Sequence, residues 1–379
     1  MKIVHIDLTG TYNEEMNYQE NLLPRINAED GHEVVFIATC YRWENGVTVK
    51  TDPCDYVTKD NIRLIRVPYK KTLCSFLETK LRDVNGLYEL LAELKPDVIM
   101  LHCVQTLSVK QIVRYVKEHK NVKLFADSHT DANNSAKNWV SKHILHKIIY
   151  QHCVDLIEPY TEKFLAISYD CKLFLMNVYG VPENRIEMFH LGGFVFSDEA
   201  YKSRKTKCRS ELGISDDDIL LVHSGKIDAL KRTDELIKAF KKCKDSKLKL
   251  VIIGSIPDEM KSLLTEIEED KRIRFLGWKS GEELLDYLCA ADLYVQPGSQ
   301  SATMQNAACC RCALALYPHE SHKQLWQDKV FYVETAEDMT SLFHKVCENP
   351  VILEDKRKLS YSEAKETLDY RKLAARIYK

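Results

Sequence analysis

Short apolar runs alternate with amphipathic stretches from one end of the chain to the other, a pattern that predicts α/β units on parallel sheet. A strand is predicted over residues 2–8, followed by Thr9-Gly10-Thr11 and a helix over 18–28. Asp30-Gly31-His32 turns into a second strand over 33–39, and 62–68 reads as a third. After a helical pattern over 84–94, Lys95-Pro96-Asp97 breaks into a strand over 98–102, and the runs 122–126 and 164–168 continue the series. Around 192–207 the pattern dissolves into a loop and a charged stretch, Tyr201-Lys202-Ser203-Arg204-Lys205, which predicts a linker. Beyond it strands over 219–224, 249–254, 273–276 and 293–296 alternate with helices over 234–242, 258–268 and 281–290. Two doubly wound domains are therefore expected, facing each other across a cleft at the carboxyl ends of their strands, where such folds bind ligands.

Composition narrows the class without naming a reaction. At 379 residues the chain is too long for one ordinary domain and suits two. Its 54 Lys and Arg against 56 Asp and Glu leave a net charge of −2, which gives no footprint for nucleic acid. No apolar run approaches the roughly 18 residues of a membrane span. The start, Met1-Lys2-Ile3-Val4-His5, lacks the long apolar stretch of a secretory leader, so a reducing, cytoplasmic setting is expected for the 13 cysteines. Cys309-Cys310-Arg311-Cys312 is compact, but no second pair stands at zinc-site spacing, and inert thiols without metal are expected.

Two segments carry candidate chemistry. In Ser224-Gly225-Lys226-Ile227-Asp228-Ala229-Leu230-Lys231 a strand ends in glycine, a cation follows, and a second cation stands just before a helix. Lys226 and Lys231 converging at such a junction can neutralise a diphosphate; a solvated lysine loop is the plainer alternative. In the second segment, 296–310, a strand runs into a loop of Gly, Ser and Gln and then a helix of small residues. Its amides around Ala302 and Thr303 can hold phosphate oxygens, and Gln300, Gln305 and Asn306 offer neutral partners for sugar or ribose hydroxyls. A loop that merely caps a buried helix is the alternative.

Taken together, these segments resemble the nucleotide-sugar domain of glycosyltransferase family 4, which has the GT-B fold. Gly225, Lys226 and Lys231 match the family's glycine, cation and second lysine in order, and 236–240 looks like the helix that follows. Leu250-Val251-Ile252-Ile253-Gly254 is similar to the next strand and glycine, and Phe275-Leu276-Gly277-Trp278 to the turn beside the base. Ala291-Asp292-Leu293-Tyr294-Val295-Gln296-Pro297 resembles the strand into the donor loop. In the first half, Gly31-His32-Glu33-Val34, Lys95-Pro96-Asp97-Val98-Ile99 and Tyr179-Gly180-Val181-Pro182 resemble family landmarks. The resemblance implies an acceptor domain over 1–195, a donor domain over 196–365, and a terminal helix, 366–379, crossing back to the first domain.

The departures fall in the donor loop. Family members carry a spaced pair of glutamates there; here Asn306 takes the place of the second, and Gln300 and Ser301 lie where the first is expected. Arg311 stands where a glycine is common, and Leu191-Gly192-Gly193 replaces the family's "PNG". On the acceptor side His129, in Asp127-Ser128-His129-Thr130-Asp131, matches a histidine that often lies near the donor sugar, and Gly10 lies in the loop that approaches the donor; a histidine capping its own loop is the alternative. The stretch 138–150 mixes apolar and basic residues at helical spacing, either as a helix packed on its sheet or as a membrane-surface face for a lipid-linked acceptor. Asp216-Asp217-Asp218 reads as a solvated turn rather than a metal site.

The expected protein is a retaining, metal-independent glycosyltransferase without a cofactor. Its co-substrate is a UDP- or GDP-sugar and its acceptor a glycan or lipid-linked hydroxyl, in the cytoplasm or peripherally at the inner membrane face. Lys226, Lys231 and His129 are the catalytic candidates. Gly10, Gly225, Gly254, Trp278, Gln300, Ser301, Ala302, Thr303 and Asn306 are the donor-binding ones. A non-catalytic nucleotide-sugar-binding subunit and a nucleotide-sugar epimerase of the same fold are the rivals.

Overall fold

A computed structural model describes residues 1–44 and 46–379. The chain divides into two units, 1–190 with 370–379, and 191–369. The divisions fall at His190/Leu191 and Asp369/Tyr370, against 195/196 and 365/366 expected from the sequence.

Among the described residues the first unit is built on ten strands: β1 Lys2–Asp7, β2 Glu33–Thr39, β3 Tyr41–Glu44, β4 Val47–Lys50, β5 Cys54–Val57, β6 Ile62–Val67, β7 Val98–His102, β8 Lys123–Ser128, β9 Lys163–Ala166 and β10 Ile186–Met188. Eight form one sheet in the order β10-β9-β8-β7-β1-β2-β6-β5, parallel except for β5. The order reverses between β1 and β7, so the loops after these strands diverge and leave a crevice at their carboxyl ends. Residues of β1, β2, β7 and β8 are buried on both faces, as a sheet covered by helices on both sides requires. The hairpin β3–β4 and the strand β5 were not expected. They are short and largely exposed, and so lack the apolar run that marks the others.

The second unit has a six-stranded, fully parallel sheet: β11 Ile219–Lys226, β12 Leu248–Ser255, β13 Ile273–Phe275, β14 Leu293–Gln296, β15 Ala313–Leu316 and β16 Phe331–Tyr332, in the order β13-β12-β11-β14-β15-β16. Its two cores alternate along each strand. Leu220 and Val222 join Tyr294 on one face, while Ile219 and Leu221 join Leu293 and Val295 on the other.

The predicted linker is a loop over 192–197, as expected, but its charged part is a helix. Asp198–Leu212 is capped by Ser197, whose side chain accepts the Ala200 N–H, and it packs on the helix Gly281–Ala290 through buried Tyr201, Cys208 and Leu212. Its charges are satisfied locally: Arg204 pairs with Glu282 and Asp286, and buried Arg209 reaches Asp292 at 3.0 Å. Asp216-Asp217-Asp218 forms the turn before β11, with Asp218 Oδ2 accepting the Ser215 N–H at 2.8 Å. Arg311 adopts φ 66°, the left-handed backbone that favours glycine. It is held by Asp198 at 2.6 Å and by the rings of Tyr201 and Tyr361.

The segment Tyr370–Lys379 belongs to the first unit, where Asn27 Nδ2 donates to Ala374 O and Arg376 bonds Met188 O. Among the described residues no helix is long and apolar enough to cross a membrane.

Candidate functional site

In the second unit the carboxyl ends of β11, β12 and β14 gather the donor candidates. Gly225 and Gly254 are register partners, and a Cβ on Gly254 would fall 1.7 Å from the Gly225 carbonyl oxygen. With Gly254 at φ 148° as well, a side chain is excluded there twice over. The Gly254 N–H donates to Gly277 O at 2.9 Å, in the turn that presents Trp278, 74% exposed.

Past Gly225 the chain exposes Lys226 and then winds a single 3-10 turn, Ala229–Lys231, with Asp228 Oδ1 accepting the Leu230 N–H at 3.1 Å. This turn sends the Lys231 side chain inward. Its Nζ donates to the backbone oxygens of Ser299 at 3.0 Å and Gln300 at 3.2 Å. The Ser299 N–H donates back to Leu230 O at 2.8 Å, so the two segments are interlocked. Lys231 is 7% exposed, and no carboxylate pairs with it among the described residues. Burial depresses its pKa, with Asp228 acting in the other direction. Two carbonyl dipoles thus orient a buried ammonium without neutralising it.

The rest of the loop is more self-contained. Ser301 Oγ donates to Thr303 Oγ1 at 3.2 Å and accepts the Thr303 N–H at 3.3 Å. The Thr303 amide expected to meet phosphate is therefore engaged within the loop, just after Ala302. Asn306 Oδ1 accepts the Phe194 N–H at 3.3 Å. At Gly193 a Cβ would come within 2.8 Å of Cys309 Sγ and 2.9 Å of Gln305 O. The departures at Gly193 and Asn306, far apart in sequence, are thus in contact. Sequence reasoning missed Arg232, which at φ 54° forks onto Glu235 and donates to Pro297 O at 3.1 Å and Glu334 O at 2.8 Å. It fixes the end of β14 to the lysine turn.

In the first unit, Gly10 follows β1, with its carbonyl accepting from Thr39 Oγ1 at 3.0 Å. A Cβ there would meet nothing closer than Asp7 Oδ2 at 3.9 Å, so no close approach demands glycine at that point. His129 follows β8, and beneath it lies a buried polar chain that sequence reasoning did not assemble. The Asp127 carboxylate is 3.4 Å from His129 Nε2 and accepts from His102 Nδ1 at 2.7 Å and the Cys103 N–H at 2.9 Å. His102 Nε2 meets His5 Nδ1 at 3.0 Å, and His5 Nε2 meets Asn27 Oδ1 at 2.9 Å.

The chain dictates its own protons. Asn27 Oδ1 can only accept, so His5 Nε2 donates to it and His5 Nδ1 accepts from His102, which then carries both of its protons. The pKa directions agree. Burial, and then the neighbouring His102, lower His5 to about 3. Burial opposes charge on His102 and His129 too, but Asp127 outweighs it, raising His102 and lifting His129 to about 9. Burial also opposes charge on Asp127, yet His102 and His129 hold its pKa below the ordinary carboxylate range. At neutral pH His129 is therefore a cation and a hydrogen-bond donor. The detectable signal was a polar residue inside an apolar strand, at His5 and His102, since buried polar groups need partners. His129 faces a cavity of about 470 Å³ whose wall includes Thr9, Gln105 and Thr130, all within this unit.

Solved structures share this fold. Over 100% of this chain and 98% of theirs, the structure superposes on Anabaena HepE in complex with UDP, with a TM-score of 0.70 at 13% identity. Sucrose-phosphate synthase from Thermosynechococcus elongatus gives 0.67 at 15% identity, over 98% of this chain and 96% of that one. The fold is GT-B. Within it, residues 204–366 match the family model described as glycosyl transferases group 1. A 152-residue stretch is 24% identical to the uncharacterised glycosyltransferase MJ1607 of Methanocaldococcus jannaschii. That stretch is 38% of this chain and spans 39% of the relative's length. The GT-B fold and the matched segment together support a place in the glycosyltransferase superfamily. The matched segment of the GT-B chain contains Gly225, Lys226, Lys231 and the whole 296–306 loop.

Proposed function

We propose that the chain is a retaining glycosyltransferase of the family-4 type, moving a sugar from a nucleotide-diphosphate donor bound by the second unit to a hydroxyl acceptor bound by the first. The observation that carries this reading is Lys231, a buried ammonium aimed by the Ser299 and Gln300 carbonyls and lacking a carboxylate partner among the described residues. Such a group gains most from an anion, and gains more as negative charge grows on the departing diphosphate than in the ground state. Lys226, exposed at the end of β11, supplies the second charge. The loop 296–306 contains no carboxylate to act as nucleophile. Attack on the same face of the sugar, with the leaving phosphate taking the acceptor proton, suits these residues better than a covalent intermediate. His129, cationic at neutral pH, serves as a donor to an oxygen of the bound sugar or acceptor and not as a base. Anabaena HepE has been solved with UDP and with UDP-glucose, which makes a UDP-sugar the first donor to try.

The test is release of nucleoside diphosphate from a panel of sugar donors. One donor should turn over, and Lys231→Ala should slow it by at least about a hundredfold. If no nucleotide binds, the reading fails. The second reading, a binding subunit without turnover, is favoured by Asn306, which stands where the family has a glutamate and whose Oδ1 is engaged by Phe194. Nucleotide binding that Lys231→Ala abolishes, with no turnover alongside any acceptor, would establish that alternative.

A further inference from the structure

The cavity that His129 faces has a charge pattern that the proposed chemistry does not by itself require. Its wall carries Lys80, Arg82, Lys137 and His129, and no aspartate or glutamate is among its described lining residues. Arg82 holds the left-handed backbone at φ 53° and is steadied by neutral groups. Its Nε donates to Thr79 O at 3.2 Å, its Nη1 to Gln105 O at 3.3 Å, and its Cζ lies 5.8 Å from the Tyr150 ring centre. Among the described residues, none of Lys80, Arg82 and Lys137 has a carboxylate partner. Arg63, Arg232 and Arg272 are paired with Asp55, Glu235 and Asp270, whereas Arg66 and Arg274, like Arg82, are held by backbone carbonyls. Gathered like charges repel one another until an anion relieves them. A carboxylate brings one charge, whereas a phosphate ester brings nearly two and several strong acceptor oxygens, a better match to this cluster.

We propose that this cavity binds the phosphate of the acceptor, which is therefore a phosphate or diphosphate ester and not a neutral glycan. The word acceptor rests on the glycosyltransferase reading; the phosphate site itself does not. Both flanking helices have exposed apolar side chains. Phe76 is 66% exposed on Ser75–Leu81, Ile148 is 63% exposed on the π-helical Ser141–Tyr150, and Trp139 just before it is 67% exposed. Tyr150 ties the two helices together by donating to Lys80 O at 2.7 Å. An amphiphile would use these exposed side chains, whereas a soluble sugar phosphate would not.

Isothermal titration without nucleotide tests the site, with glucose 1-phosphate, geranyl diphosphate and uncharged geraniol as probes. At least one phosphate probe should bind while geraniol does not, and Arg82→Gln and Lys137→Ala should each weaken binding by at least about tenfold. Lys137 is exposed, so its variant keeps the test alive if Arg82→Gln fails to fold. If Phe76→Ser with Ile148→Ser weakens geranyl diphosphate and spares glucose 1-phosphate, the source is a lipid-linked phosphate. Equal effects on both probes would point to a soluble one. Absence of phosphate binding, or binding that survives both charge substitutions, overturns the proposal. Lys231→Ala should bind the phosphate probe normally. Phosphate binding without turnover of any donor would sink the glycosyltransferase reading alone, and donor turnover without phosphate binding would sink this site alone.

Discussion

Asp127 places two imidazoles on one buried oxygen, and the charge of His129 follows from it. His129 is raised from 6.5 to about 9, so its contribution to stability is complete below 6.5 and is lost as pH rises through about 9. Asp127 is depressed from 3.8, so its contribution is complete above 3.8 and disappears only as pH falls through its lower folded value. The pair's stabilisation of the first unit should therefore be complete between about pH 4 and 6.5 and fall away as pH rises towards about 9. The other groups acting on His129 are Glu20 and Asp7, both favouring its charge. In Asp127→Asn the carboxylate is gone while burial remains, and the His129 imidazole should titrate at least about one unit lower by proton NMR. An unchanged titration would mean that Glu20 and Asp7 set the charge instead. At this scale the sequence exposed single residues but not their connections. His129, Lys226 and Lys231 stood out because loops after strands carry chemistry, but nothing in the order of residues joins His5 to His102 across two strands.

Among the elements, most strands with apolar runs were predicted to within a residue or two, because burial on both faces leaves an unbroken signal, but β10, β16 and the fully buried β15 were not predicted. The helix Asp198–Leu212 was missed for the opposite reason. Its buried positions, Tyr201, Cys208 and Leu212, are diluted by lysine and arginine, and one of those charges, Arg209, is itself buried. Arg209 shows how such a residue becomes part of a core: its guanidinium bonds Ala290 O, Asp292, Ser215 O and Asp218 O, joining the helix to the start of β11 and the end of Gly281–Ala290. Arg209→Ala would leave three carbonyls unmet and take from Asp292 its nearest cation, leaving it Lys205 and Arg357 at 3.8 Å, and should cost about 3 kcal/mol in urea unfolding of the second unit. A loss under about 0.5 kcal/mol would place it with ordinary surface substitutions. The donor-loop departures belong to this scale as well. Gly193 and Asn306 meet across the start of the unit, so each is explained by the other's geometry more than by the position either holds in a motif.

In the whole molecule the chain leaves the first unit at His190 and comes back to it at Tyr370. The returning segment buries Tyr370, Leu373 and Ile377 and is bonded at Asn27 and Met188. Deleting residues 370–379 removes apolar burial worth about 5 kcal/mol from the first unit. Hydrogen exchange should then show lost protection in β1 and β2 while β11 and β12 keep theirs. Uniform loss across both sheets would instead mean that the two units unfold as one.

That returning segment also fixes an order of events during synthesis. The strands β1 and β2 leave the ribosome before any strand of the second unit, yet they belong to a unit that includes residues 370–379, which follow the entire second unit. The second unit is continuous in the chain and has all its parts once Asp369 has emerged, whereas the first must wait with Asn27 and the Met188 carbonyl unmet. Of the two units, the one begun first is thus the one completed last. Its apolar surface near Asn27 is the part that a nascent-chain chaperone would have to cover for longest.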